Sequence, residues 1–165
     1  MTYPITLNAI RRHGPCKDGW EKLLKYLGKT TADDEPLLFS TILDSNGFDD
    51  AIWCLRALDN KQVLVELACR FAESVLPIFE NRFPDDMRPR RAIEAARADD
   101  AADAAAEAAD AADAVSAAYS AANAAYSAAY AANAVNTTNV AYAASAAAIA
   151  VTPIKRIQIM KELLG

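Results

Sequence analysis

The second half of this chain contains almost nothing that stops a helix. Only five of its 165 residues are glycine and seven proline, and neither type occurs between Arg90 and Thr152. Histidine is nearly absent too: His13 is the single one. A Ser-His-Asp or Cys-His site could be built only around it. Cys16 forms H-x-x-C with His13, but it stands too close in sequence for the usual nucleophile, and zinc needs two further ligands. The expected structural role is a loop histidine beside a buried cysteine. The three cysteines, Cys16, Cys54 and Cys69, are too few and too scattered for a disulfide framework, which fits a reducing cytoplasm. Glycine-rich phosphate or dinucleotide motifs are missing. These absences predict a protein that is not an enzyme and holds no cofactor or metal.

Long apolar runs are missing as well. Residues 114–154 carry no formal charge, yet Asn, Ser, Thr or Tyr recurs every few positions. The longest mostly apolar piece, "VAYAASAAAIAV", has 12 residues, short of the ~20 that a membrane-spanning helix needs. "MTYPITLNAIRRHG" has no basic start followed by an apolar core, so it does not read as a secretory signal. The net charge of -5 disfavours direct attraction to nucleic acid or to an anionic membrane.

What is present reads as helix. "TLNAIRRHGP" has Thr6 as a cap, Gly14 as a stop and Pro15 beyond it. In "KDGWEKLLKYLGK", Asp18 is the expected cap, with Glu21 three residues on. Trp20, Leu23, Leu24 and Leu27 form one apolar stripe, and Gly28 ends the helix. Core packing is the expectation for both Trp20 and Trp53. Pro36 suits a first helical turn, "SNG" ends that helix, and Asp49 opens the next. In "KQVLVELACRFAESVLPIFENRF", Leu64, Leu67, Ala68, Phe71, Val75, Ile78 and Phe79 share a face. Glu66 and Arg70 make an exposed i, i+4 pair, and Pro77 kinks this helix or marks its last turns. Pro89 starts another. No alternating strand pattern occurs. The predicted fold is all-α: short N-terminal helices over residues 1–97, packed on long alanine-rich helices over 98–165, as one continuous fold.

Alanine dominates the second region, filling 28 of the 50 positions from 101 to 150. One unbroken helix from Arg90 to Val135 would be ~69 Å long, against a radius of gyration of ~15 Å for a compact domain of this size. Breaks are therefore expected, at Asp99–Asp100, at "NTTN" (Asn136 to Asn139), and before "TPIKRIQIMKELL", which Thr152 caps. Alanine has the best helix propensity and lets backbones approach closely. It also supplies little apolar area, so each face needs a neighbouring helix from this chain or from a second copy.

An acidic ladder opens this region. Asp99, Asp100, Asp103, Glu107, Asp110 and Asp113 fall within about 140° of a helix wheel, if the helix is continuous. No Lys or Arg interrupts them. Carboxylates at such steps stand ~4.5–6 Å apart along the axis, a spacing comparable to that of phosphates on a nucleic-acid strand. The plainer reading is a solvated face that keeps an alanine-rich bundle soluble. Like charges at i, i+4 weaken a helix, which favours a use for the ladder. Tyr119, Tyr126, Tyr130 and Tyr142 are the large side chains of the tract, serving either a protein interface or the gaps between alanine ridges. "RPRR", Arg88 to Arg91, either clamps a phosphate or carboxylate-rich partner or pairs locally with Asp85 and Asp86.

"ILDSNGFDDAIWCLRAL", "VLPIFENRFPDDMRPRRAIEAARA" and the closing "TPIKRIQIMKELLG" resemble a family of bacterial immunity proteins with phage and prophage relatives. In that family a helical block precedes alanine-rich helices. The resemblance covers roughly residues 36–165, and "RPRRAIEAARA" is its most specific part. After it, relatives often carry an aromatic residue and a "GE" turn where this chain has "DDAADAAAE". The resemblance implies a non-catalytic all-helical protein of the bacterial cytoplasm that binds another protein. The expected partner is a host protein, blocked as in defence inhibition or an anti-CRISPR role, with Asp99, Asp100, Asp103, Glu107, Asp110, Asp113, Tyr119, Tyr126 and Tyr130 as the contact. The alternatives are a co-encoded toxin neutralised by an immunity protein, or a homodimer joined through alanine faces.

Overall fold

The computed structural model describes residues 2–81, 83–98 and 151–165. The protein is all-α. Among the described residues are seven α-helices, one 3-10 turn at Leu55–Ala57 and no strand. The helices are α1 (Leu7–Arg12), α2 (Lys17–Leu27), α3 (Phe39–Asn46), α4 (Phe48–Cys54), α5 (Lys61–Glu80), α6 (Arg88–Arg97) and α7 (Pro153–Leu164). None of them is long and apolar enough to cross a membrane. The chain forms two compact units, Met1–Asp59 with Ile157–Gly165, and Asn60–Arg156. This division follows packing, whereas the composition of the sequence changes at residues 97 and 98.

In the first unit, Thr6 caps α1 as its sequence predicts. Its Oγ1 accepts a hydrogen bond from the Ala9 amide at 3.0 Å, satisfying one of the amides that a helix start leaves unpaired. The predicted cap of α2 is displaced. Cys16 holds the cap position without a side-chain bond, and Asp18 lies inside the first turn, where its charge favours the positive helix end. Gly28 ends α2 in the left-handed conformation, as expected.

Pro36 does not start α3. It precedes a backbone pairing in which the Ile5 and Leu37 amides donate to each other's carbonyls, at 2.9 and 2.8 Å. That bridge holds the chain extended until Phe39. Gly47 then joins α3 to α4 with φ at 93°, a conformation that an L side chain rarely adopts. Phe39, Ile42 and Leu55 are fully buried in this unit, as are Met160 and Leu164 from the C-terminal part of α7.

In the second unit, the Asn60 side chain caps α5 by accepting from the Val63 amide at 3.1 Å. The predicted face of α5 is buried at Leu64, Leu67, Ala68, Phe71, Val75 and Phe79. Ile78 is the exception, at 56 % exposure. The buried stripe in the last two turns centres on Ala72, Leu76 and Phe79, and Ile78 falls on its edge. Pro77 sits in the last turn. Against α5 lies α6, with Pro89 in its first turn and Ala92, Ile93 and Ala96 buried. Alanine at two of those three contacts lets the helices approach closely.

Candidate functional site

The nine residues that the sequence assigns to partner binding lie outside the described residues. They are Asp99, Asp100, Asp103, Glu107, Asp110, Asp113, Tyr119, Tyr126 and Tyr130. So do Tyr142, the predicted breaks at Asp99–Asp100 and "NTTN", and the alanine faces. The described part of the molecule shows what leads into the tract, and it holds a second, separate constellation.

The tract follows a clamped arginine. Arg97 ends α6 and reaches across to α5, where its Nε donates to Glu66 Oε2 at 2.7 Å and its Nη2 to Glu73 Oε2 at 2.8 Å. Glu66 also accepts from Arg70 Nε at 2.8 Å, so the expected i, i+4 pair is part of a four-residue network. Burial pushes the Glu66 carboxyl up, but the hydrogen bonds from Arg97 and Arg70 outweigh it and leave the group below its ordinary range.

"RPRR" pairs largely within the molecule. Arg88 donates to Asp86 through Nε at 2.9 Å and Nη2 at 2.7 Å, which holds the Asp86 carboxyl below its usual value. Arg90 makes a two-pronged contact with Glu80 at 2.7 and 2.8 Å, a partner that sequence proximity did not offer. Arg91 forms no ion pair among the described residues. These interactions take up arginines that would otherwise make a basic surface for nucleic acid.

The second constellation lies in the first unit, between α2, α3 and α4. A cavity of about 130 Å³ is walled by Ile10, Leu23, Ile42, Trp20 and Trp53. Neither indole is fully buried; both are half-buried at the cavity wall, which corrects the expectation of simple core packing. On its polar side Asn46 donates to the Gly19 carbonyl at 2.8 Å and to Asp50 Oδ2 at 2.7 Å. A β-carbon at Gly19 would come within 2.8 Å of Asp50 Oδ2 and 3.1 Å of Cys16 Sγ. A glycine inside a helix costs about 0.5–1 kcal/mol relative to alanine. Here its missing side chain makes room for the Asp50 carboxylate.

Cys16 is exposed, contrary to the buried neighbour of His13 that the sequence leads one to expect. The reason is its place at the start of α2 on the cavity rim. Cys54 also lines the cavity, but burial, with Asp50 as a lesser cause, pushes its thiol up to about 12. Arg56 lies 4.6 Å from the centre of the Trp53 ring. No group of three or more His, Cys, Asp or Glu able to hold a metal occurs among the described residues.

Sequence reasoning missed this cavity. The signal available was Gly19 itself, an interior glycine in an otherwise strongly amphipathic helix. No family model, no curated protein and no solved structure matches this chain.

Proposed function

We propose that this chain is a non-enzymatic protein of phage or prophage type that binds and blocks a host defence complex in the bacterial cytoplasm. Its acidic ladder occupies a basic, nucleic-acid-handling surface of that complex. The observation that carries this reading is where the charge sits. Six of the 22 acidic residues form the ladder, leaving 16 against 17 basic residues in the rest of the chain. The whole net negative charge therefore belongs to one short tract with no cation of its own. A concentrated field of one sign speeds encounter with an opposite surface and selects partners by charge. Tyr119, Tyr126 and Tyr130 follow the ladder and supply the apolar part of the contact.

A second reading, immunity against a co-encoded toxin, is favoured by the resemblance in "RPRRAIEAARA". The two differ in salt dependence. Tagged protein is used to capture partners from host lysate at low and high salt, alongside the double variant Asp103→Lys, Asp110→Lys. The ladder reading expects a nucleic-acid-handling complex that is lost at high salt and lost in the variant. A single salt-resistant partner that the variant still holds overturns it in favour of immunity. Recovery of the chain alone overturns both in favour of self-association through alanine faces.

A further inference from the structure

We propose that the cavity between α2, α3 and α4 is a binding site for a primary alkylammonium group, with Asp50 as its counter-ion and Trp20 and Trp53 as its aromatic walls. The site is independent of the acidic ladder and of the function proposed for it.

Three observations converge. First, Asp50 is half-buried and accepts a hydrogen bond from Asn46, yet no Lys or Arg among the described residues forms an ion pair with it. A neutral amide orients a carboxylate but supplies no counter-charge. Second, α2 keeps a glycine where any side chain would push against that carboxylate. An acid in the first turn of α4 favours that helix end whichever way it points, so helix chemistry alone does not call for the gap at Gly19. Third, the remaining wall is apolar and aromatic. Indole faces attract cations, ammonium groups included. Arg56 over Trp53 shows that this indole already takes a cation within the molecule.

Size narrows the ligand. An apolar cavity of about 150 Å³ takes up a benzene molecule, so 130 Å³ suits a four-carbon chain ending in an ammonium. A carboxylate ligand would meet Asp50 with like charge. A neutral alkyl chain would fill the walls and leave the carboxylate unpaired. The shared chemistry is an alkylammonium, whether a free amine or the end of a lysine side chain.

Cys16 supplies the readout. It is the exposed thiol on the cavity rim, while Cys54 and Cys69 are buried. Alkylation of Cys16 by iodoacetamide is followed on the wild-type protein, with glutathione labelled in parallel to correct for loss of reagent. n-Butylammonium should slow Cys16 labelling several-fold and saturably, with half-effect at ~1–10 mM, a range reasonable for so few heavy atoms. n-Butanol and butyrate should not do so at the same concentrations. Asp50→Asn, with unchanged circular dichroism, should remove the protection. Gly19→Ala, whose β-carbon displaces the carboxylate, should weaken it. Nα-acetyl-lysine amide separates the sources. Protection by both amines assigns the site to lysine side chains as well as free amines, and protection by butylammonium alone assigns it to free amines; either supports the site. Equal protection by butanol, or no saturable protection, overturns it. The contrast between ligands is read on wild-type protein and does not depend on a variant folding.

Discussion

Asp44 and Lys161 stand 117 residues apart in sequence, and Lys161 Nζ lies 2.8 Å from Asp44 Oδ1. The same end of the chain is also held by Ser40, whose hydroxyl donates to the Gly165 carbonyl at 3.1 Å. The C-terminal part of α7 is thus built into the first unit. The ion pair is the visible link, but it is half in solvent, at 44 % and 53 % side-chain exposure. Leu164 and Met160, on the same helix as Lys161, are 0 % exposed.

Burial should outweigh charge at this junction. Lys161→Ala is expected to cost less than ~1 kcal/mol, as exposed ion pairs do. Leu164→Ala should cost ~2–4 kcal/mol, because it removes apolar burial and leaves a cavity. Urea unfolding followed by far-ultraviolet circular dichroism checks both. A larger loss for Lys161→Ala than for Leu164→Ala contradicts this account.

Arg97 gives a test in the second unit. Its guanidinium bonds two carboxylates of α5 at once, a geometry that lysine cannot reproduce. Its side chain is about one-third exposed, so solvent weakens the pairing. Arg97→Ala should cost ~1–2 kcal/mol, and Arg97→Lys should recover less than half of that. Full recovery by lysine would show that Arg97 acts through its charge alone, without the fork of donors.

Acid should weaken this unit through its arginine-paired carboxylates. The carboxyl of Glu66 lies below its ordinary value of 4.5 in the folded chain, and that of Asp86 below 3.8. Each binds its proton more readily when unfolded. Their stabilisation is therefore complete well above the ordinary values. It is lost as the pH falls through 4.5 and 3.8 toward the lowered folded values. The urea midpoint should hold from pH 7 down to about 5.5 and then drop. Glu66→Gln should start from a lower midpoint and drop less. An equal drop in wild type and variant would remove Glu66 from the explanation.

The helices were legible in the sequence because their signals are local. Thr6, Gly28, Gly47 and Pro89 act within one turn, and the apolar spacing of α5 reads directly as a buried face. What failed depends on distant partners. Pro36 looked like a helix start because the pairing of Leu37 with Ile5 comes from another part of the chain. Trp20 and Trp53 looked like core because spacing tells which face a residue occupies, not whether a cavity lies beside it. Gly19 was passed over in α2, since its reason is Asp50 on another helix. Ile78 fits the helical wheel of α5 but falls at the edge of a buried stripe whose centre shifts near the helix end. The ladder and its tyrosines rest on the sequence alone.

Thiol chemistry tests both units with one reagent. Cys16 is exposed, and Cys54 and Cys69 are buried. Burial pushes the thiols of Cys54 and Cys69 up to about 12, so at pH 8 both stay almost wholly in the unreactive thiol form. The native protein should therefore titrate one thiol quickly and all three in denaturant, and Cys16→Ser should titrate none in the native state. Cys54 belongs to the first unit and Cys69 to the second. Slow labelling of each in mild urea, resolved by peptide mass spectrometry, then reports the opening of its own unit. Leu164→Ala should speed labelling of Cys54 more than that of Cys69, because Leu164 is buried in the unit that holds Cys54. Arg97→Ala should do the reverse. Fast native labelling of Cys54 or Cys69 would contradict the packing that places them in the core.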